Sequence, residues 1–379
     1  MQRQGPGVLN RMDDYPIHQT PEPIAHPASS DRNVYDRTWF NGYTADGSAY
    51  FGIGIAIYPY RKVLDCAFSI VERSGRQHCF FGSCLAPLER TDMRVGPFTL
   101  EIVEPLRRAR VVLDDNDTGL ACDLTFSART SAIQEARQVL YDGLRKTMDA
   151  TRFAQFGRWS GTITHPDGSV VVDDWLGTKD RSWGIRGVGE PETAGAPGGA
   201  RGIFFLWAPS FWDDHVTHAM FFDGPRGEPL VREAIVAPLF DDEQAIPSAL
   251  VDTDERMAGT AHRIRYHPGT RLAAQAEIDF LDLDGGLRTI QYEPMLRFHM
   301  KGLGYGHPTW RQGMWQGELK TGVESFDPAE IDLLRPENIH VQQICRITDG
   351  TRTGVGALEQ IVIGPYRPGG FTGPLDGAR

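Results

Sequence analysis

A chain of 379 residues exceeds the size of a single small core, and its length favours two domains of ordinary size. The formal net charge of −11, with basic residues scattered along the sequence, argues against nucleic acid or an anionic membrane surface as a partner. Five cysteines, an odd number with no C-x-x-C pair, argue against a disulfide framework and against a structural zinc site.

The first 34 residues are predicted to form a mobile N-terminal arm. Residues 1–26 are polar and rich in proline, and they contain no apolar stretch that could serve as a signal peptide or a membrane span. We therefore expect a cytoplasmic protein with no integral membrane segment, in which the cysteines stay reduced.

Residues 35–187 are predicted to form a first domain of antiparallel strands. Short runs of β-branched and aromatic residues alternate there with Gly, Pro, Asp and Asn, which is typical of strands joined by tight turns. Within residues 120–127, apolar and polar residues alternate as in a strand with one buried face. Residues 133–148 carry apolar positions at helical spacing, but Gly143 weakens the pattern, so a short helix and an irregular crossover both fit.

Residues 188–202 are predicted to be a linker, because residues 187–202 are rich in Gly, Pro and Ala and show no periodicity. A second strand-rich domain is expected over residues 203–364, followed by a Pro/Gly-rich tail over residues 365–379. Two all-β halves of this size fit either sandwiches or barrels. A barrel of eight to ten strands has an interior able to hold one apolar ligand.

The segment 179–186 holds the densest group of chemically active side chains in the sequence. Asp180, Arg181 and Arg186 lie beside Lys179 and Trp183 within a strand-like region. Buried charges must be paired whether or not they take part in chemistry. The segment therefore fits a structural network between domains and a catalytic or ligand site equally well.

The second dense segment covers residues 293–318. If its first part is a strand, Glu293, His299 and Lys301 share one face, which points to solvent in most sheets and to a polar lumen in a ligand-binding barrel. The glycines at 302, 304 and 306 then allow a sharp bend. His307 and Trp310 are expected at a barrel mouth or at an interface.

These two segments resemble those of a known group. Residues 180–186 look like the "RDHSWG-x-R" signature of two-domain lipocalin-like proteins related to carotenoid hydratase (hydroxyneurosporene synthase) and tocopherol cyclase. Residues 300–318 resemble the "GxGYxHPxWGHGxWxGE" pattern of the same group, and the likeness in spacing extends over most of residues 35–363. Arg181 stands where the group commonly has histidine, and Arg311-Gln312 replaces its Gly-His pair.

The resemblance implies an all-β fold of two lipocalin-like antiparallel β-barrels packed side by side, over residues 35–187 and 203–364. It also implies an enzyme that needs no cofactor and acts on a hydrophobic isoprenoid, steroid or polyketide-like molecule by proton transfer, in a hydration, dehydration, cyclisation or isomerisation. The enzyme class it implies is a hydratase/lyase or an isomerase/cyclase. The alternative is a binding protein that holds a lipophilic ligand and performs no chemistry.

Acid chemistry requires a carboxyl group in an aromatic cavity, where burial raises its pKa and lets it protonate an alkene or an oxygen. Asp180 or Glu293 is the expected acid or base, with Arg181 and Arg186 as electrostatic positioners. The residues expected to contact substrate are Trp183, Tyr305, His307, Trp310, Trp315 and His299. Unpaired carboxyl groups among rings would favour the enzyme, and carboxyl groups paired away from the cavity would favour the binding protein.

No metal site is expected. His215 and His218 are the closest histidine pair, and an offset of three residues on a strand sends their side chains to opposite faces. The sequence also contains no H-E-x-x-H, G-x-S-x-G or G-x-x-x-x-G-K-[ST] motif, which argues against a zinc protease, an α/β-hydrolase and a P-loop enzyme.

Overall fold

The computed structural model describes residues 9, 11–73, 75–187, 202–247 and 253–379. The regular secondary structure of these residues is almost entirely β-strand, which confirms the predicted all-β class, and the strands form two curled, barrel-like antiparallel sheets. The predicted linker, residues 188–202, lies outside the described residues except for Gly202. No helix among the described residues has the length and apolar character needed to cross a bilayer. The short 3-10 helices are Arg11–Asp14, Pro59–Arg61, Met300–Leu303 and Arg367–Gly369.

The first sheet is built mainly from the N-terminal half of the chain. Its strands are β1 (Val34–Tyr43), β2 (Ala49–Tyr58), β3 (Val63–Glu72), β4 (Gln77–Leu85), β5 (Arg94–Val95), β6 (Phe98–Glu104), β7 (Arg108–Leu113), β8 (Ala121–Ala128), β9 (Ile133–Gln134), β10 (Gln138–Asp142), β11 (Arg145–His165), β12 (Gly168–Arg186) and β20 (Leu319–Phe326). The hydrogen-bonded order is β20-β4-β3-β2-β1-β12-β11-β8-β7-β6-β5, and β9 and β10 both pair with β11.

The second sheet is built from the C-terminal half. Its strands are β13 (Ile203–Phe211), β14 (His215–Asp223), β15 (Pro229–Pro238), β16 (Glu255–Arg256), β17 (Gly259–Tyr266), β18 (Ala273–Leu281), β19 (Leu287–His299), β21 (Val341–Thr348) and β22 (Thr353–Ile363). Their order is β16-β15-β14-β13-β22-β21-β19-β18-β17.

Strand β20 links the two sheets covalently. It follows β19 of the second sheet in sequence, yet it pairs with β4 along the edge of the first sheet, from Leu319 opposite Cys84 to Phe326 opposite Gln77. The chain between β19 and β20 therefore crosses from one sheet to the other. The domain limits taken from the sequence remain a prediction, and they do not account for the pairing of β20 with the first sheet.

Residues 133–148 do not form a helix. They are divided among β9, β10 and the start of β11, and Gly143 lies in the turn between β10 and β11 with φ +58°. The helical alternative was wrong: β9 and β10 pair with β11 instead, and the apolar side chains of Val139 and Leu144 are exposed rather than gathered on one buried face.

Alternation along the strands produces three layers of buried side chains. One lies inside the first sheet and includes Phe51, Phe68 and Trp159. A second lies between the two sheets, with Trp39 of the first sheet against Trp207 of the second at a ring distance of 5.8 Å. The third lies inside the second sheet. Large aromatic side chains thus fill the interior of the first sheet, and the junction between the sheets carries the buried polar groups described below.

Candidate active site at the junction of the two sheets

Strand β12 divides the charged segment 179–186 between its two faces, because successive side chains of a strand point in opposite directions. Asp180 lies opposite Trp39 of β1, on the face that packs against the second sheet. Arg181 lies on the other face, where its Nη1 donates to Asp36 Oδ1 and to the carbonyl of Arg37, each at 2.6 Å. Trp183 shares that face and is 40% exposed. The segment therefore does not converge on a single point.

Asp180 is mostly buried and pairs with Arg152 of β11, whose Nη2 lies 2.6 Å from Asp180 Oδ2. Asp180 Oδ1 is buried without a hydrogen-bond partner among the described residues. Burial raises the pKa of this carboxyl, and the nearby charge of Glu135 adds to the rise, while Arg152 opposes it. Asp180 is therefore an ion-paired carboxyl with one oxygen left for a further contact.

Arg152 also contacts Glu135, with 3.4 Å between Arg152 Nε and Glu135 Oε2. Glu135 Oε1 accepts hydrogen bonds from Trp207 Nε1 and His218 Nε2 of the second sheet, each at 3.0 Å. Burial alone would raise the pKa of Glu135, but Arg152 and His218 together outweigh burial and hold that pKa below its usual range. This network of charges joins the two sheets.

A second carboxyl, Asp65 of β3, lies on the same face of the first sheet. Its Oδ2 accepts the backbone N–H of Gly313 at 2.6 Å. Enclosure by the protein raises the pKa of Asp65 from its ordinary value of 3.8 to about 6, although the Gly313 bond and the charges of Arg37 and Arg186 oppose the rise. Asp65 is thus a carboxyl that takes up and releases a proton near neutral pH.

Asp65 borders a cavity between β1–β4 and the chain that leads to β20. The cavity volume is about 20 Å³, room for about one water molecule. Its walls include Arg37, Asp65, Phe81, Ser83, Trp310 and Gln312. Several buried polar atoms around it lack a hydrogen-bond partner among the described residues, namely Arg37 Nε, Tyr58 OH, Ser83 Oγ, Arg186 Nε and Arg311 Nε. Unsatisfied donors concentrated at one place indicate a site for water or for a polar ligand.

Arg37 occupies the centre of this group because Gly54 leaves it room. A Cβ atom at position 54 would lie 2.7 Å from Arg37 Nη2. The guanidinium lies 4.9 Å from the centre of the Tyr305 ring, in a cation–π contact. Tyr305 in turn meets the His340 ring edge to face at 4.7 Å. A buried cation therefore lies against an aromatic ring, within electrostatic range of Asp65.

The connection between β19 and β20 covers the cavity and is fixed at two points. Trp310 stacks on Phe81 of β4 with ring centres 5.6 Å apart, and Gly322 of β20 leaves room for it, because a Cβ there would lie 2.2 Å from Trp310 Cζ2. His307 Nε2 contacts Glu324 Oε2 at 2.7 Å, and His307 Nδ1 accepts the backbone N–H groups of Thr309 and Trp310.

The structure places some predicted site residues at the junction and others away from it. Asp180, Arg186, Tyr305 and Trp310 lie there, and Arg186 Nη2 contacts Gln312 Oε1 at 3.4 Å. His307 fixes the covering chain as described. His299 is buried beside Asn338 and Phe326, where burial lowers its pKa to about 3.

Four predicted residues do not join this group. Arg181 and Trp183 point away from the second sheet. The Trp315 side chain is 47% exposed, and the Glu293 side chain is 58% exposed with Arg346 Nη1 at 4.0 Å. The Glu293 carboxyl is exposed to solvent rather than enclosed by aromatic rings. This corrects its assignment as the acid of an aromatic cavity, because that role requires a carboxyl removed from water.

Sequence reasoning missed Asp65, Arg37 and the Glu135–Arg152 pair. A signal was present for the first two: Asp65 is the one acidic residue in the apolar run 63–71, and Arg37 stands in the aromatic segment 35–40. A charge inside an otherwise apolar strand requires a buried partner. Glu135 and Arg152 gave no comparable signal, because both lie in mixed polar segments.

The fold is shared with solved structures of low sequence identity. A kievitone hydratase from Nectria haematococca aligns with a TM-score of 0.52 and 12% identity, over 94% of this chain and 96% of that one. A candidate AttH protein from Nitrosomonas europaea aligns with a TM-score of 0.51 and 12% identity, over 95% of this chain and 98% of that one. At this identity the likeness supports the lipocalin-like fold, and the relation to carotenoid hydratase and tocopherol cyclase stays a prediction.

Comparison at the sequence level gives the family. No curated protein matches the chain significantly. A family model matches residues 9–372, nearly the whole sequence, and its description is "Family of unknown function (DUF8625)". The chain belongs to this family of unknown function.

Proposed function

We propose that this protein is an enzyme that transfers protons to and from a small molecule without a cofactor, as a hydratase/lyase or an isomerase/cyclase. The observation that carries the proposal is Asp65, a carboxyl with a pKa of about 6 beside a small cavity, together with Arg37 and Trp310. A catalytic acid works best when its pKa lies near the working pH. The shared fold with a protein named kievitone hydratase supports the same class of reaction.

Asp65 is the proposed proton donor. In its protonated form it gives a proton to an alkene carbon or to an oxygen of the substrate, and the carboxylate left behind is stabilised by Arg37 and Arg186. The ring of Trp310 offers a π face to the positive charge that such a protonation creates. The cavity at Asp65 has room for the water that a hydration consumes.

Asp180 is the proposed second carboxyl of the site. Its pairing with Arg152 suits it to position substrate or to accept a proton rather than to donate one, and its Oδ1 is available for that contact. Arg37 lies within electrostatic range of both Asp65 and Asp180, so the two carboxyl groups share one buried cation. Glu293 has no part in this proposal.

Substrate binding beside Asp65 requires a larger space than the cavity there provides. A cavity of about 20 Å³ is far below the roughly 300 Å³ of a typical small-molecule site. The chain that covers it includes Gly313 and Gly317, with φ values of +73° and +121°, and only glycine adopts such angles readily. We propose that residues 311–316 move aside to admit a hydrophobic substrate of the isoprenoid, steroid or polyketide-like class.

One observation favours the alternative of a binding protein without chemistry. Asp180 is paired with Arg152 and Glu293 is exposed, which is the arrangement expected of a carrier. The two functions differ in what happens to a ligand: a carrier returns it unchanged, whereas the enzyme converts it to an isomer or to a species that differs by one water.

The test is to incubate the purified protein with a small-molecule extract of its own host and to follow the compounds by liquid chromatography and mass spectrometry. Wild-type protein should consume at least one compound and form an isomer or a species differing by water. Asp65→Asn should bind but not convert it, and Asp123→Asn, which changes an exposed carboxyl paired with Arg110, should behave as wild type. Equal recovery of an unchanged bound compound from wild type and Asp65→Asn would establish the carrier.

A further inference from the structure

Two histidines and two carboxyl groups meet at one end of the first sheet, away from the junction. His78 is the second residue of β4, and His165 is the last residue of β11. Asp167 lies in the turn between β11 and β12, and Glu72 is the last residue of β3. His78 and His165 share the strand faces of Phe80 and Ile163, which belong to the core inside the sheet. The two imidazoles therefore point into the same end of the curled sheet.

The distances fit a common ion. One ligand atom each from His78, His165 and Asp167 lies within 4.8 Å of the other two. His165 Nε2 lies 3.4 Å from Glu72 Oε2, which matches the roughly 3.4 Å between two ligand atoms on a tetrahedral zinc ion with bonds near 2.1 Å. His78 Nε2 and Asp167 Oδ2 lie 2.8 Å apart, so an ion bound by both would move them apart by a further ~0.6 Å.

The protein alone does not satisfy His165. Its side chain is 4% exposed, and neither ring nitrogen has a hydrogen-bond partner among the described residues. A buried imidazole with two unsatisfied nitrogens is costly, because one of them carries a proton and the other a lone pair. A cation bound between His165 and its neighbours would satisfy the lone pair.

His78 has the environment of a metal ligand. Its Nδ1 lies 2.7 Å from Ser325 Oγ on β20, and its Nε2 faces Asp167. Histidines that bind metals commonly donate the proton of the second ring nitrogen to a neighbouring oxygen, which fixes the ring and leaves the other nitrogen as the ligand. Ser325 Oγ can accept a hydrogen bond from His78 Nδ1–H.

We propose that His78, His165 and Asp167 bind a divalent transition-metal ion of the zinc type, with Glu72 or water as the fourth ligand. Two imidazoles and one or two carboxylates suit zinc better than calcium or magnesium, which prefer oxygen ligands alone. The two carboxylates also neutralise the charge of the ion. The bound metal ties the β11–β12 turn to β3 and β4, and this proposal does not depend on the enzymatic function proposed above.

The test is calorimetric titration of Zn²⁺ into the full chain after treatment with a chelator, with Co²⁺ absorption spectra as a second measurement. Wild type should bind one Zn²⁺ per chain and show the visible bands of tetrahedral Co²⁺. Asp167→Asn changes an exposed turn residue and leaves the core intact, and His165→Gln removes the buried ligand. Each should lower the Zn²⁺ affinity by a factor of about 100 or more.

The matched control is His215→Gln, because His215 also contacts an aspartate, Asp214, at 2.5 Å but belongs to no group of three possible metal ligands among the described residues. It should bind Zn²⁺ as wild type does. Absence of stoichiometric Zn²⁺ binding by wild type would overturn the proposal. So would unchanged affinity in Asp167→Asn and His165→Gln, or equally tight binding of Ca²⁺.

Discussion

Asp65 and Gly313 are joined across the junction by a hydrogen bond of 2.6 Å, in which the backbone N–H of Gly313 donates to Asp65 Oδ2. Asp65 belongs to the first sheet, and Gly313 belongs to the chain that comes from the second sheet and covers the cavity. The proposed proton donor is therefore in direct contact with the segment that must move for substrate to enter. Protonation of Asp65 weakens this bond, because a neutral carboxyl is a poorer acceptor than a carboxylate.

Asp65→Asn should stabilise the protein above pH 6. The folded-state pKa of Asp65, about 6, exceeds its ordinary value of 3.8, so the folded chain holds this proton more tightly than the unfolded chain does. Stability therefore falls as pH rises from about 4 to 6, by up to roughly 3 kcal/mol. Asparagine removes that cost and still accepts the Gly313 bond. Urea unfolding of both proteins between pH 4 and 8 measures the difference.

The gain should shrink to less than about 1 kcal/mol at pH 4, where Asp65 is protonated in the folded chain and partly protonated in the unfolded chain. A constant difference between the two proteins over the whole pH range would contradict the assignment of the raised pKa to Asp65.

Glu135→Ala should destabilise the protein by about 3–5 kcal/mol, because it removes the buried carboxylate that contacts both Arg152 and His218 and leaves Arg152 only Asp180 as a partner. The pKa of Glu135 lies below its usual range in the folded chain, so its contribution is present above about pH 4.5 and is lost as pH falls below that value. Thermal unfolding at pH 7 and pH 4 measures both effects. Glu277→Ala, which removes an exposed partner of Arg263, should cost less than about 1 kcal/mol.

Gly54→Ala should displace the Arg37 guanidinium, because the new Cβ would lie 2.7 Å from Arg37 Nη2. The charge of Arg37 lowers the pKa of Asp65, so its displacement should raise that pKa above 6. Carbon-13 NMR of labelled aspartate follows the titration directly. Gly187→Ala is the control, because a Cβ there meets no atom within 4 Å. An unchanged Asp65 titration in Gly54→Ala would show that Arg37 does not act on this carboxyl.

Glu324→Gln should loosen the chain that covers the cavity. Glu324 contacts both Lys301, at 3.0 Å, and His307, at 2.7 Å, and His307 in turn accepts the N–H groups of Thr309 and Trp310. Hydrogen exchange at those two amides should become faster by about tenfold, the effect of losing roughly 1.4 kcal/mol of local stability. Glu293→Gln, a change of an exposed glutamate on β19, should leave their exchange unaltered.

The all-β class could be predicted because strands with one buried face alternate visibly, as residues 120–127 do in β8. The pairing of β20 with β4 could not be predicted, because pairing between distant strands depends on the whole sheet and leaves no local pattern. Residues 133–148 are a second case in which local sequence did not determine the structure. Their helical spacing is real, and tertiary pairing with β11 overrides it.

The candidate site was predictable only in part. Asp180 and Arg186 stand out in the sequence and lie at the junction, but Arg181 and Trp183 point away because alternation on β12 separates neighbours in sequence. Asp65 lies in an apolar strand and was not singled out from the sequence. Its raised pKa depends on burial, and its hydrogen bond is to Gly313, 248 residues away, and neither can be read from the local sequence. Glu293 drew attention through its sequence context, which carries no information on exposure.

Incorporation of solvent deuterium tests the proposed proton transfer most directly. The compound converted by wild-type protein is produced in D₂O, and its deuterium content is measured by mass spectrometry alongside Asp65→Asn and Asp180→Asn. We expect wild type to form a product with one non-exchangeable deuterium on carbon, and Asp65→Asn to form no labelled product. Conversion by Asp65→Asn at the wild-type rate and with the same label, or recovery of only unchanged compound with every protein, would contradict this expectation.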